Sequence, residues 1–382
     1  MKYIYLDNGA TSYPKAPGVA ESMSDYILNV GTNVGRGAYS SSYEAENIVY
    51  ETRELICDLF NFNKPENVIF TKNVTESMNI LIKGLLKKGD HVIITSMEHN
   101  AIMRPLNKLN NKIEYSRVKC NNLGELDVEN LESSIKRNTK AVIITHASNV
   151  CGTIFDLEKV GEICKKNNLF FLIDSAQTAG FLDLDFEKLN ADAIGFTGHK
   201  NLLGPQGIGG FVVNDKLVNE LDTLIEGGTG SLSDNEIQPD YMPDKFEAGT
   251  LNIPGIYGLH TSLKYLLDYG IKNIRDEEII LMDKFLEGLL NISNIKLIGK
   301  KSSKNRTGVF SIDFLENDNG IVAHDLSKTY GIMTRSGLHC APSAHKTLGT
   351  FPHGTVRFSL SHFTTTLEIE YTINSINKIV NK

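Results

Sequence analysis

Lys200 lies in the glycine-rich string F-T-G-H-K-N-L-L-G-P-Q-G-I-G-G, residues 196–210, and Asp174 closes the apolar run L-F-F-L-I-D. A lysine amine in a largely desolvated pocket and an aspartate fixed at a strand end are the groups that pyridoxal 5'-phosphate requires. One forms the Schiff base and the other holds the pyridinium nitrogen. The pair predicts a pyridoxal enzyme. Cys340, in R-S-G-L-H-C-A-P, stands among glycine, proline and histidine and not in an apolar periodic run, which suggests a reactive thiol. The other four cysteines have ordinary structural readings; Cys57 and Cys164 fall on apolar positions of helical patterns and read as small buried hydrophobes.

These groups need a scaffold, and from about residue 68 short apolar runs alternate with amphipathic stretches, the signature of a mostly parallel sheet covered by helices. V-I-F-T, H-V-I-I-T, A-V-I-I-T, L-F-F-L-I-D, A-I-G-F-T and G-G-F-V-V-N read as strands. Several are apolar throughout, as expected for strands buried on both faces. E-S-M-N-I-L-I-K-G-L-L and L-E-K-V-G-E-I-C-K-K carry apolar residues at helical spacing. After Thr250 the pattern changes to a long helical stretch from about Tyr257 to Leu290, then strands in I-K-L-I-G, G-V-F-S-I-D-F and T-V-R-F-S-L, and a final amphipathic helix. The expected organisation is a large domain over 1–255 and a smaller α+β domain over 256–382, with the N-terminal residues free to pack on either.

Open α/β sheets bind ligands at the carboxyl ends of their strands, and the candidate polar residues follow strands. Thr75 comes after V-I-F-T, His99 after H-V-I-I-T, Asn149 after A-V-I-I-T, and Asp174 and Gln177 after L-F-F-L-I. Thr75 alone reads as a helix N-cap, and the helix behind it offers free N–H groups to a phosphate. Asp174 would keep the pyridine nitrogen protonated, Gln177 can donate to the phenolic oxygen, and His99 is placed to stack over the ring. Thr197 and His199, flanking Lys200, suit phosphate oxygens. Glu98 has no evident role.

The composition excludes other classes. The 382 residues carry 41% apolar and 22% charged side chains, with a net charge of −7, so a soluble chain of about two domains is expected. No apolar stretch approaches the ~20 residues of a membrane span, and the start M-K-Y-I-Y-L-D lacks a secretory signal; the expected location is the cytoplasm. No basic run offers a stripe for phosphate backbones, so nucleic acid is not an expected partner. Five cysteines without a paired C-x-x-C fit a reducing compartment.

D-S-A-Q, F-T-G-H-K-N-L-L-G-P-Q-G, F-E-A-G-T and R-S-G-L-H-C-A-P together resemble the class V aminotransferase family. Within it they are similar to the cysteine desulfurases, nearest the branch that includes selenocysteine lyases. The likeness runs from Y-L-D-N-G-A-T to V-R-F-S-L-S-H-F. It implies a fold-type I pyridoxal enzyme with a mostly parallel seven-stranded sheet, a smaller α+β domain, and a homodimer with active sites at the subunit interface. By the same likeness, Lys200 holds the aldehyde and Thr75, Thr197 and His199 hold the phosphate, with Thr250 reaching in from the partner subunit. Asn149 approaches cofactor and substrate, Arg357 grips the substrate carboxylate with a planar fork, and Arg335 and Arg36 line the pocket.

The implied reaction converts L-cysteine to L-alanine. Lys200, its pKa lowered, removes the α-proton; the thiolate of Cys340, favoured by His339, Arg335 or His345, attacks the substrate sulfur and becomes a persulfide for a sulfur-acceptor protein. The chain departs from the family where many desulfurases have Arg-Gly-x-His: Arg36 and Gly37 are followed by Ala38 and Tyr39. His345 follows the reactive cysteine in its own distinctive segment. Alternatives are a selenocysteine lyase, another β-elimination, and kynureninase-like or epimerase-like activity. A zinc module built from His339, Cys340, His345 and His353 fits no standard ligand spacing, and a scaffold without catalysis is opposed by intact Lys200, Asp174 and Cys340. The short connection after Cys340 suggests a thiol of limited reach.

Overall fold

The computed structural model describes residues 3–35, 37–232 and 234–381. Strand β1 (Ile4–Tyr5) comes first. The central sheet then takes β2 (Val68–Thr71), β3 (His91–Thr95), β4 (Glu114–Val118), β5 (Thr139–Thr145), β6 (Phe170–Asp174), β7 (Ala193–Thr197) and β8 (Gly209–Val213). Their order is β2-β8-β7-β6-β5-β3-β4. Only β8 runs antiparallel to its neighbours; the remaining pairings are parallel.

The unbroken apolar runs follow from burial on both faces. Val142, Ile144, Phe171, Ile173, Ile194 and Phe196 join one core, while Ala141, Ile143, Phe170, Leu172 and Ala193 join the other. Alternate side chains of one strand thus satisfy opposite layers. Edge strand β4 was not legible in the sequence, because E-Y-S-R-V buries only Val118 and so shows no apolar run. On the sheet's other side, Gly209 permits a close approach: a Cβ there would lie 2.9 Å from the Cα of Asn73. Glycine thereby lets the helix Val74–Leu85 start directly over β8.

A second sheet is built from β9 (Lys296–Ile298), β10 (Val309–Asp313), β12 (Arg335–Gly337) and β13 (Thr355–Ser359), antiparallel in the order β12-β13-β10-β9. Between them in sequence, β11 (Ile332–Met333) pairs in parallel with β1, and Leu6, Phe285, Phe310, Ile312 and Phe358 share this unit's core. The expected helix from Tyr257 to Leu290 is two helices, Ile253–Tyr269 and Ile271–Leu290, parted by Gly270 at φ 89°. A backbone in that region suits glycine and interrupts the helical ladder. The first helix buries Ile256, Leu259 and Leu263 in the core of the large sheet, and the second sends Phe285, Leu286 and Leu289 into the core of the small one. We propose that the two units divide at Gly270 and not at residue 255, with the N-terminal strand on the smaller unit.

One buried ion pair fastens a long connection to the sheet. Arg53, on the helix Ser40–Phe60, meets Glu247 through two bonds of 3.1 and 2.7 Å, and Glu247 also accepts from the backbone N–H of Phe70 at 2.7 Å. Both side chains are nearly inaccessible, at 7% and 5% exposure. Removing one partner strands the other charge in a low-dielectric site, which costs about 3–5 kcal/mol. Arg53→Ala is therefore expected to lower unfolding free energy by roughly that amount in urea titrations, whereas an exposed pair such as Lys136–Glu114 should contribute under about 1 kcal/mol.

Candidate active site

The carboxyl ends of β3, β5, β6 and β7 deliver His99, Asn149, Asp174 and Lys200 to one pocket, which is also lined by Thr75, Gln177, Thr197, His199, Arg335, Arg357 and Cys340. Every described residue predicted for the site from sequence borders it, except Thr250. Thr250 is exposed at a separate opening beside Val34 and Gly249. Arg36 lies outside the described residues.

Burial sets the protonation of the groups in the pocket. Desolvation lowers the Lys200 amine to about 8, with Asp174 pulling it partly back. Asp174, itself buried, is raised by desolvation, opposed by the Ala176 N–H at 2.9 Å and by Lys200. His99 falls to about 3, first through burial and then through the charge of Lys200. Its Nδ1 accepts from the backbone N–H of Ala101 at 3.0 Å and so caps the helix Asn100–Leu109. A neutral imidazole with a fixed tautomer results.

The phosphate-type end of the pocket is formed by Thr197, His199 and the start of the helix Val74–Leu85. Thr75 is not the N-cap of that helix. Asn73 is, with an extended φ of −177° and a side chain that accepts from Glu76 N. Thr75 instead occupies the first turn, where backbone N–H groups have no intrahelical partner. Nearby, Thr197 Oγ1 and His199 Nδ1 are buried without a hydrogen-bond partner among the described residues. Buried polar atoms left unpaired are rare and point to a missing partner. Two such atoms beside a helix N-terminus fit an anionic group such as a phosphate, and the desolvated Lys200 with Asp174 fits an aldehyde-bearing pyridine. These residues thus suit pyridoxal phosphate.

On the opposite wall, Arg335 and Arg357 stand directly across from each other on β12 and β13. Arg357 is 2% exposed; its Nη2 donates to Asp7 at 2.8 Å and its Nη1 to the carbonyl of Asn149 at 3.2 Å, while Nε has no partner among the described residues. The sequence offered no reason to single out Asp7, because its partner lies 350 residues away. Gln177, predicted to face a phenolic oxygen, donates to the carbonyl of Gly9 at 3.2 Å.

Cys340 is the exposed member of the five cysteines. His339 and Cys340 both adopt left-handed backbone conformations, φ 47° and 57°, which non-glycine residues avoid unless their surroundings impose them. Two hydrogen bonds impose this one. Asn149 Nδ2 donates to the His339 carbonyl at 2.7 Å, and Asn100 N donates to the Cys340 carbonyl at 2.9 Å. The short helix Pro342–Leu348 follows immediately. The expectation that His339 or His345 would supply positive charge to the thiol is not met. Burial lowers His339 to about 2 and His345 to about 4, and their rings bond Thr355 and Thr350. Of His339, His345 and Arg335, Arg335 alone carries a guanidinium, and it stands beside Arg357 on this wall. Among the described residues no cluster suited to a metal is present, so the grouping of His339, Cys340, His345 and His353 forms no such site.

The model of class-V aminotransferases matches residues 4–372. The chain belongs to that family. A probable cysteine desulfurase of Methanothermobacter thermautotrophicus is 33% identical, over 99% of this chain and 94% of the relative. A probable cysteine desulfurase of Pyrococcus abyssi is 34% identical, over 100% and 95%. The apo structure of a cysteine desulfurase from Thermococcus onnurineus superimposes with a TM-score of 0.93 at 32% identity, over 99% of this chain and 95% of that one. The fold-type I architecture read from the sequence is that of the class-V structures.

Glu98, which had no evident role in the sequence, lies behind this pocket and does not line it. It is fully buried and accepts from Thr95 N, Thr95 Oγ1 and Thr145 N at 3.2, 2.6 and 2.9 Å, tying the ends of β3 and β5 together beneath His99. A Glu directly before His99 was the available signal, but its depth was not. Burial raises its carboxyl from 4.5 to about 8. The folded chain therefore binds a proton that the unfolded chain releases between those values, so this group's contribution to stability falls as pH rises from about 4.5 to about 8. Glu98→Gln should flatten that part of the profile, as read from urea midpoints of the apoprotein at about pH 5 and about pH 8. An unchanged slope would show that Glu98 is ionised throughout.

Proposed function

We propose that this chain is a pyridoxal-phosphate-dependent cysteine desulfurase that converts L-cysteine to L-alanine and carries the sulfur away as a persulfide on Cys340. One observation carries the reading: an exposed thiol, a desolvated lysine and a buried aspartate line a single pocket. Lys200 would hold the cofactor aldehyde, Asp174 the pyridine nitrogen and Gln177 the phenolic oxygen, with His99 against the ring face. Thr75, Thr197 and His199 would hold the phosphate. Thr250 would complete that cradle from a second copy in a homodimer, consistent with its exposure away from its own pocket. The bound cofactor supplies an electron sink for charge developing at the substrate α-carbon.

The remaining chemistry falls to the chain's own groups. Arg357, with Asp7 already on Nη2, would present its Nε, and Arg335 a guanidinium, both without a partner among the described residues, to the substrate carboxylate; Asn149 and Arg36 would line the same region. Lys200 Nζ, poised at about 8, takes the α-proton as a base matched to near-neutral pH. Cys340 Sγ attacks the substrate sulfur: an S–S bond forms, the C–S bond breaks, and the carbon fragment departs as alanine after protonation. The exposed position of Cys340 suits delivery to an acceptor protein, with iron–sulfur cluster assembly as a destination for the sulfur. Among the described residues no helix is long and apolar enough to cross a membrane, and we place the enzyme in the cytoplasm.

Purified yellow holoenzyme should release alanine from L-cysteine and show a trapped persulfide on Cys340. Cys340→Ser should keep the cofactor absorbance and lose alanine formation from cysteine, while Lys200→Ala should lose roughly 10²–10⁴-fold in rate. Undiminished turnover by Cys340→Ser would remove the thiol from the mechanism. Alanine from selenocysteine but not from cysteine would make the chain a selenocysteine lyase instead.

A further inference from the structure

Beside the main pocket runs a groove that shares Thr75, His99 and Cys340 with it. Two neighbouring helices wall the groove. On Val74–Leu85, the polar residues lining it are Thr75, Asn79 and Lys83; on Asn100–Leu109, they are Asn100, Arg104 and Lys108, with Ala101 and Pro105 beside them. Each set repeats every four residues, so each helix turns one polar stripe into the groove. Both stripes begin with a neutral hydrogen-bonding residue, Thr75 or Asn100, and end in a lysine two turns farther out, with Arg104 a third cation one turn out. No acidic side chain lines the groove among the described residues. Lys83, Arg104 and Lys108 form no ion pair among the described residues, although lysines elsewhere on this acidic chain are commonly paired.

The thiol is anchored to the same groove, because the first N–H of the helix carrying Arg104 and Lys108 holds the Cys340 carbonyl. A strip of unpaired positive charge leading away from an exposed nucleophile concentrates anionic partners at it. We propose that this groove is the docking lane for the sulfur acceptor, and that it recognises a protein segment bearing several carboxylates beside a thiol. The inference rests on the desulfurase reading of Cys340 and adds the acceptor's chemistry. In the transfer, the acceptor thiolate attacks the outer sulfur of the Cys340 persulfide and forms a new S–S bond. The old S–S bond breaks, its electron pair stays on Cys340 as thiolate, and the acceptor becomes the persulfide. No outside oxidant or reductant is consumed.

The test uses holoenzyme and two probe peptides, Glu-Glu-Cys-Glu-Glu and Gln-Gln-Cys-Gln-Gln, each activated as a pyridyl disulfide. Release of pyridinethione reports attack by Cys340, with Cys340→Ser as the blank, and does not depend on desulfurase turnover. At low ionic strength the acidic peptide should react about tenfold faster than the neutral one. That preference should shrink toward unity in about 0.5 M salt and in the double variant Lys83→Glu, Lys108→Glu. Alanine formation from L-cysteine with dithiothreitol as acceptor should be unchanged in the double variant, since neither lysine belongs to the catalytic pocket. Equal rates for the two peptides on the wild type, or a preference that survives the double variant, would overturn the proposal. Preference for the acidic peptide without alanine formation would support the groove and reject the desulfurase reading, so the two fail separately.

Discussion

Lys200 sits where water is largely excluded, and the loss of solvation that brings its amine to about 8 also governs its neighbours. His99 is pushed down to about 3, Asp174 is raised, and the Glu98 carboxyl is pushed up to about 8. One low-dielectric edge of the sheet thus shifts the titration of four groups at once. The arrangement depends on position: strand ends bring these groups together because parallel strands all point their carboxyl ends the same way.

The wall facing Lys200 comes from the rest of the chain, and a relay of hydrogen bonds registers it. Asp7 holds Arg357, Arg357 donates to the carbonyl of Asn149, and the Asn149 side chain donates to the carbonyl of His339. Asn100 then fixes the carbonyl of Cys340. Two successive left-handed residues are stabilised by these contacts, which costs backbone energy of order 1 kcal/mol or more per residue. The outcome is a thiol with a defined place between the pocket and the basic groove.

Much of this site was legible in the sequence because its residues sit in local contexts with local meanings. An aspartate ending an apolar run and a lysine among glycines each announce a position relative to a strand. The readings that failed were those that required neighbours in space. Thr75 looked like a cap until Asn73, two residues earlier, took that place through its extended backbone. His339 and His345 looked like cations until burial made both neutral. The helical run through Gly270 looked continuous because periodicity carries no record of a single left-handed backbone. Edge strand β4 was invisible because an exposed strand needs no apolar pattern.

The sequence by itself determined the class of chemistry, the doubly covered sheet and the family, since side-chain type and hydrophobic period are written residue by residue. Tertiary structure decided which charges survive. Arg357 could be named from its motif, but only the fold brings Asp7 to it across 350 residues, and only burial turns Glu98 from an acid without an evident role into a buried brace between β3 and β5. The stripes of Lys83 and of Arg104 with Lys108 are likewise periodic in sequence, yet become one groove only when their helices pack side by side with Cys340 at the end. Solvation and long-range contact are properties of the packed chain, and no local pattern encodes them.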